Sequence, residues 1–192
     1  MTSSIKRALT MCAIAAASLG ASSLAHAQLT YQGVTFTPSF SGNVLTIEID
    51  AANPTGDWSD ATGIIALQVK EVGTWTSVTF SGPGAASGWT VLPNELNANG
   101  CDGGSSGIQR ACAIGAEVPL TDNMIFTYTF TGGTQDFSNP HIKLIFVDAE
   151  GEKTGSLLSM NVPAIPEPST YAMLLGGLGL LAGARRFASK AA

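Results

Sequence analysis

The residues that could carry catalysis are few and lie close together. Of the 192 residues only two are histidines, and His141 alone lies in the central part of the chain. Asp136 and Ser138 precede it, so the three residue types of a serine hydrolase triad are present. Neighbours on one loop do not by themselves form a triad. His141 follows a proline at the start of a predicted strand and is interpreted as a structural or surface residue, so we predict no catalytic residue.

Acidic and amide side chains offer two other kinds of chemistry. Two carboxylates a few ångströms apart suffice for glycoside hydrolysis, and their separation leaves no sequence signature. Asn53, Asp57 and Asp60 carry the oxygen ligands that calcium prefers. Their spacing does not match an EF-hand loop, and Asn and Asp are also common turn residues. We therefore predict no metal site and no cofactor, with a small hydrolase as the alternative function.

Tryptophan side chains offer binding chemistry, because sugars are held by aromatic surfaces with a few polar groups. Trp58 is the tentative ligand contact, since it lies in the polar segment Gly56-Asp57-Trp58-Ser59-Asp60. Trp75 and Trp89 are expected to fill the core. The alternative is that all three tryptophans are packing residues.

The two central cysteines, Cys101 and Cys112, are predicted to form one disulfide. Cys12 lies within residues 1–27, which are predicted to form a secretory signal that is removed, and its loss would leave this pair alone in an oxidising compartment. A metal-binding role would need histidines nearby, and there are none. Closing a loop of about a dozen residues stabilises a fold by up to about 3 kcal/mol.

The N-terminal residues 1–27 predict a secretory signal peptide helix. Lys6 and Arg7 precede the apolar stretch 8–19, and Ala25-His26-Ala27 forms a cleavage site of the A-x-A type. These three features in this order are typical of a signal that is removed, here after Ala27.

The C-terminal residues 163–192 predict a membrane-inserted tail. Pro166, Glu167 and Pro168 form a rigid polar spacer, an uncharged run follows over 172–184, and Arg185 and Arg186 then form a basic stop. This order predicts a transmembrane helix inserted from outside and arrested by its arginines. A helix over 169–184 spans about 24 Å, slightly less than a hydrocarbon core of roughly 30 Å.

The segment 28–162 predicts one β domain. Residues of alternating polarity make strands with one apolar face at 45–50 and 124–131. A strand over 34–40 is expected to pair with the first of these through Ser41-Gly42-Asn43, and Pro38 suggests that it lies at a sheet edge. Further strands are predicted at 64–72, joined through Gly73-Thr74 to 75–81, and at 89–92, 141–148 and 155–160. The pattern is typical of an all-β fold, an antiparallel β-sandwich of immunoglobulin-like or jelly-roll type.

The charge of this central part excludes one class of partner. It contains four basic residues and, counted to Glu167, all fourteen acidic ones, so its net charge is about −10. Nucleic acid binding needs a basic surface. We therefore expect no nucleic acid partner.

The C-terminal residues resemble a known sorting signal. Pro166-Glu167-Pro168-Ser169-Thr170, the Gly/Leu-rich run and Arg185-Arg186 are similar to the PEP-CTERM tail of Gram-negative bacteria. The resemblance implies recognition and cleavage by exosortase, a multi-spanning membrane cysteine protease, in bacteria that export polysaccharide. It also implies export across the inner membrane, a transient membrane anchor, and a final place in the cell envelope or outside the cell.

A second resemblance covers about half of the central domain. It is to short, largely uncharacterised PEP-CTERM proteins, and it implies a shared fold without a known activity. The residues that carry it are Gly88-Trp89, 96–101, Cys112, 141–143, 146–149 and 155–159. Together these features predict a non-enzymatic envelope or extracellular-matrix protein that is processed by exosortase and binds exopolysaccharide.

Overall fold

The computed structural model describes residues 28–104 and 109–166. Within them the chain forms eleven strands and two short 3-10 helices, Gly56–Trp58 and Gly84–Gly88. In chain order the strands are β1 (Leu29–Tyr31), β2 (Val34–Ser41), β3 (Val44–Asp50), β4 (Gly63–Lys70), β5 (Ser77–Ser81), β6 (Thr90–Leu92), β7 (Arg110–Pro119), β8 (Met124–Thr131), β9 (His141–Val147), β10 (Leu158–Asn161) and β11 (Ile165–Pro166).

The strands form two sheets. Sheet A has the order β1-β2-β3-β8-β5, with β11 also paired to β2, and sheet B has the order β10-β9-β4-β7-β6. Every pairing is antiparallel except that of β11 with β2. The predicted all-β class with two antiparallel sheets is confirmed. The finer choice between immunoglobulin-like and jelly-roll topology stays a prediction.

The main core lies between the two sheets. Alternation along β8 buries Met124, Phe126, Tyr128 and Phe130 on one face, as the sequence pattern predicts. Buried aliphatic residues of sheet B belong to the same hydrophobic cluster, among them Leu67, Val69, Ile142 and Leu144. Burying apolar area of this kind is the dominant favourable contribution to folding.

The predicted hairpin of β2 and β3 is confirmed, whereas the edge position suggested by Pro38 is wrong. Strand β2 is paired on both sides, with β3 on one side and with β1 and β11 on the other. On the second side β1 pairs with residues up to Phe36, and β11 begins to pair at Ser39. Pro38 lies in the interval between them, where its missing N–H removes no ladder hydrogen bond.

Two other strand predictions need correction. Strands β4 and β5, predicted as neighbours joined through Gly73-Thr74, lie in different sheets. The connection therefore crosses from one sheet to the other instead of closing a hairpin. Strand β7 had no counterpart among the predicted strands, because its alanine and glycine residues have low β propensity.

A second, smaller core lies on the outer face of sheet B. The loop 93–104 covers this face and buries Leu96 and Cys101 against Ala66, Cys112 and Ile145. Gln68 is the buried polar residue beneath the loop, at 0% exposure. Its amide donates to the Asn94 carbonyl at 2.7 Å and accepts the N–H of Leu96 at 3.1 Å. Both ends of the amide are therefore satisfied, and the loop is fixed to the sheet.

Across the described residues, no helix is long and apolar enough to cross a membrane. The predicted signal peptide helix with Ala25 and Ala27, and the predicted transmembrane helix with Arg185 and Arg186, lie outside these residues, as do Glu167 and Pro168.

Candidate functional site

The chain enters its C-terminal tail directly from the folded domain. After β10 in sheet B the backbone crosses to sheet A, and the N–H groups of Val162 and Ala164 donate to the carbonyls of Pro140 and Ser138 at 3.0 and 3.1 Å. Val162 is 0% and Ala164 7% exposed. The crossing segment is therefore part of the fold and not a loose linker.

Strand β11 continues this attachment up to the first proline of the motif. Ile165 pairs with Ser39 and Pro166 with Phe40, parallel to β2. Residues 158–166 are consequently held by strand pairing or backbone hydrogen bonds over nearly their whole length. Of the predicted motif residues, Pro166 is thus placed on the edge of sheet A.

Two opposite ends of the sandwich follow from the strand directions. We call one the tail-side end; it comprises the loops 41–44, 71–76 and 132–140 together with residues 162–166. The registers of β2, β3, β8, β4 and β9 bring these loops to the same end as Pro166. The far end comprises the loops 51–62, 120–123 and 148–157.

A row of four aromatic rings crosses the tail-side end. The ring centroids of Phe40 and Phe137 lie 5.7 Å apart, those of Phe137 and Phe130 5.4 Å, and those of Phe130 and Trp75 4.9 Å. Phe130 and Phe137 are buried, whereas Phe40 and Trp75 at the two ends of the row are half-buried. Such distances are typical of stabilising aromatic pairs.

Trp58 is not the exposed ligand contact that the sequence suggested. Its side chain is 0% exposed and packs against Tyr31 and Phe146, with centroid distances of 5.3 and 4.4 Å. Its indole N–H donates to the Ser156 carbonyl at 2.9 Å. The polar residues around Trp58 misled the prediction, because the 148–157 loop, distant in sequence, covers the ring. Trp75 is the half-buried tryptophan instead.

Trp89 is a core residue, as predicted. It is 7% exposed, stacks on Phe80 at a centroid distance of 5.7 Å, and donates its indole N–H to the Ala116 carbonyl at 2.8 Å.

The disulfide between Cys101 and Cys112 is confirmed, with a Cα–Cα distance of 5.8 Å. It joins the loop 93–104 to strand β7 on the outer face of sheet B. The Asn94 side chain donates to the Cys101 carbonyl at 3.0 Å, and the N–H of Gly103 donates to the Glu95 carbonyl at 3.0 Å. The bond therefore closes a loop that is also tied by hydrogen bonds.

The ion pairs of the described structure form one network around Glu95. Its carboxylate accepts hydrogen bonds from Lys70 at 3.0 Å and from Arg110 and Lys143. The four side chains are 13–20% exposed. Lys143 also donates to the Leu96 carbonyl at 3.0 Å. The network thus fixes the loop 93–104 to three strands, β4, β7 and β9.

The surroundings of Glu95 alter its protonation strongly. Burial by itself would raise the pKa of this carboxyl, but hydrogen bonds from Lys143, Lys70 and Arg110 outweigh burial and lower the pKa from 4.5 to about 2. Glu95 is therefore ionised at every physiological pH. Sequence reasoning missed this network because its three basic residues lie 15 to 48 positions from Glu95 and on three different strands. Only the register of the sheet brings them together.

The candidate triad residues do not form a triad. The Ser138 hydroxyl donates to Asp136 at 2.6 Å, and this hydrogen bond lowers the pKa of that carboxyl. The two ring nitrogens of His141 lie 3.0 Å from Asn161 Oδ1 and 3.0 Å from Ser159 Oγ. The serine is thus bonded to the aspartate and the histidine to other residues, which agrees with the structural interpretation of His141.

A Gly-x-Ser-x-Gly spacing does occur once, at 103–107. Gly103 lies in the loop that follows Cys101 and not in the strand-to-helix turn that presents a nucleophilic serine. Ser105 lies outside the described residues.

The candidate calcium residues occupy the far end. The N–H of Asp57 is bonded to the Gln32 side chain. Among the described residues there is no group of three His, Cys, Asp or Glu side chains that could hold a metal ion.

Comparison with known proteins identifies the tail. Residues 164–186 match the family model described as the PEP-CTERM protein-sorting motif. No curated protein matches the chain. The match begins at Ala164, so its first three residues are the buried alanine and the two residues of β11. The chain therefore carries a PEP-CTERM protein-sorting motif, and the match begins one residue before β11, the last described strand.

Proposed function

We propose that this chain is an exported, non-enzymatic protein of the cell envelope or extracellular matrix, that exosortase processes its tail, and that its β domain binds exopolysaccharide. The observation that carries the proposal is the PEP-CTERM sorting motif at 164–186. This motif indicates an exported protein of a Gram-negative bacterium that passes through a membrane-anchored sorting step.

The domain upstream of the motif has two properties that are expected of an exported protein. Cys101 and Cys112 form a disulfide in it, and its charged residues are mostly acidic. Disulfides persist in oxidising compartments, and a strong net charge favours solubility. The same negative charge disfavours polyanionic ligands, so an uncharged polysaccharide is the ligand class that fits best.

The binding proposal is tested with residues 28–166, which keep β11 in place. We expect the purified domain to be retained on the exopolysaccharide of its own host and to release no new reducing ends. Heat-unfolded domain serves as the control for nonspecific retention. Lack of retention would overturn the binding role.

The same experiment tests the alternative, a small secreted hydrolase of polysaccharide. Release of reducing ends that disappears when a single carboxylate is changed to its amide would overturn the non-enzymatic assignment and establish hydrolysis.

A further inference from the structure

Only a short segment connects the folded domain to the uncharged run of the tail. Strand β11 ends at Pro166, and the uncharged run begins at Ala172, so only residues 167–171 lie between them. Even fully extended, this connection spans at most about 20 Å at roughly 3.4 Å per residue. A domain of this length has a radius of gyration of roughly 14 Å and is therefore wider than its tether is long.

The short tether determines which surface meets the processing enzyme. While the uncharged run is inserted in the membrane, the tail-side end cannot turn away from the bilayer, because Pro166 is fixed to β2. A membrane protease that binds the sorting motif must then fit against this end of the sandwich.

Charge is distributed unequally between the two ends. Of the residues that the structure describes, eight acidic ones but only one basic one, Lys153, lie at or next to the far end. The acidic ones are Asp50, Asp57, Asp60, Glu117, Asp122, Asp148, Glu150 and Glu152.

Near the tail-side end the charges nearly balance. Among the described residues, four acidic side chains are opposed there by three basic ones, and the Glu95 network contains four of the seven. The seven residues are Glu71, Glu95, Asp102, Asp136, Lys70, Arg110 and Lys143.

The tail-side end also has the composition of a protein interface. In the loops 41–44, 71–76 and 132–140 the only charged residues are Glu71 and Asp136, so the stretches 41–44, 72–76 and 132–135 are uncharged, and the half-buried Trp75 and Phe40 lie at this end. Protein interfaces are depleted of charge at their centre and enriched in aromatic residues. The acidic far end, in contrast, is repelled by anionic lipid headgroups and is kept away from the membrane.

We propose that the tail-side end is a docking surface for the membrane protease that processes the sorting motif, so that the enzyme contacts the folded domain as well as the motif. This inference rests on the proposed processing by exosortase. It assigns the partner surface to loops 41–44, 72–76 and 132–135, with Trp75 as its aromatic centre. The nearly balanced charge and the fixed position of Pro166 make this end a suitable surface for the enzyme.

The test measures processing of the full chain in its host by pulse–chase. Thr76 and Thr134 are exposed, and their side chains make no hydrogen bond within the described structure, so T76E/T134E adds charge to the surface without breaking a contact. The matched control is S59E/T121E, which adds the same charge at exposed positions of the far end. Melting of residues 28–166 carrying each pair checks that both variants fold.

We expect T76E/T134E to slow conversion of precursor to product on the order of tenfold, because unpaired charges at an interface are costly. The S59E/T121E variant should be converted at the wild-type rate. Conversion of both variants at the wild-type rate, or equal slowing of both, would overturn the docking proposal.

A second chain separates docking from other effects. In this chain a Gly/Ser linker of about 20 residues follows Pro166 and is followed by a second copy of residues 164–192. The linker has an end-to-end distance of roughly 25 Å, so the second motif is no longer held at the domain. In this chain the effect of T76E/T134E should disappear. Equal slowing in both chains would contradict docking, whereas a wild-type chain that exosortase never cuts would refute the proposed processing itself.

Discussion

Replacing Glu95 by glutamine removes the charge at the centre of the network formed by Lys70, Arg110 and Lys143. The glutamine keeps the shape of the side chain but leaves three cations around a neutral amide. Because these cations attach the loop 93–104 to sheet B, we expect E95Q to lower the free energy of unfolding and to loosen the loop before the rest of the domain unfolds.

The lowered pKa of Glu95 sets an upper limit on the unfolding free energy that E95Q should lose. The difference between 4.5 and about 2 corresponds to at most about 3.4 kcal/mol. The four side chains retain 13–20% exposure, and solvent screening reduces this ceiling, so we expect a loss of about 1 to 2 kcal/mol.

The pH dependence has a definite sign. The folded-state pKa of Glu95 is depressed, so its stabilisation is fully present above pH 4.5 and is lost as the pH falls towards 2. The difference in unfolding free energy between wild type and E95Q should be constant from pH 5 to 7 and shrink below pH 4.5.

Urea unfolding of residues 28–166, monitored by tryptophan fluorescence, measures the free energy of unfolding and its dependence on pH. The matched control is E48Q, which removes a half-exposed carboxylate of sheet A that makes no ion pair in the described part of the chain. Equal stability of E95Q and E48Q, or a difference that grows towards acid pH, would refute the role assigned to Glu95.

Three further substitutions test other parts of the fold. C101S/C112S should cost about 3 kcal/mol in unfolding free energy, and the wild-type protein should take up no alkylating reagent by mass until it is reduced. G73A should lower the free energy of unfolding by more than about 2 kcal/mol, and G42A by about 1 kcal/mol. An added Cβ at Gly73 would lie 2.2 Å from a backbone oxygen, whereas one at Gly42 would meet nothing within 4 Å. Thermal melting compares the two variants. W58A should lower the free energy of unfolding by about 3 to 5 kcal/mol, because the buried ring leaves a cavity. At a temperature where W58A stays folded, its retention on the polysaccharide should equal that of wild type, and a lower retention would show that the ring is more than a packing residue.

Local sequence pattern predicted the elements whose contacts are local. Alternation along β3 and β8 identified their buried faces, and the turn residues after Ser41 identified the β2–β3 hairpin. Both signals depend on neighbours in sequence, so single-sequence reasoning captures them. The disulfide was predictable because the predicted signal peptide contains Cys12, which leaves two cysteines for the exported protein.

Contacts between distant segments were not predictable in the same way. The burial of Trp58 depends on Ser156, 98 residues later, and the polar residues beside the ring gave the opposite signal. Strand β7 is recognised by its register with β4, since its alanines carry little β preference. The Glu95 network likewise exists only once β4, β7 and β9 are aligned.

The sorting motif itself was predictable, but its attachment was not. The order of prolines, uncharged run and arginines is visible in the sequence, and the family model confirms it. Ala164 is buried and Pro166 pairs with Phe40. Both features depend on the parallel pairing of a two-residue strand, and so short a strand has no periodic pattern in the sequence.

The intact mass of the exported protein tests the central claim most directly. Isolated from its host, the product should begin at Gln28 and lack the uncharged C-terminal run, and deletion of the exosortase gene should leave a longer form retained in the membrane. The same mass in both strains, with residues 172–186 still attached, would contradict the assignment.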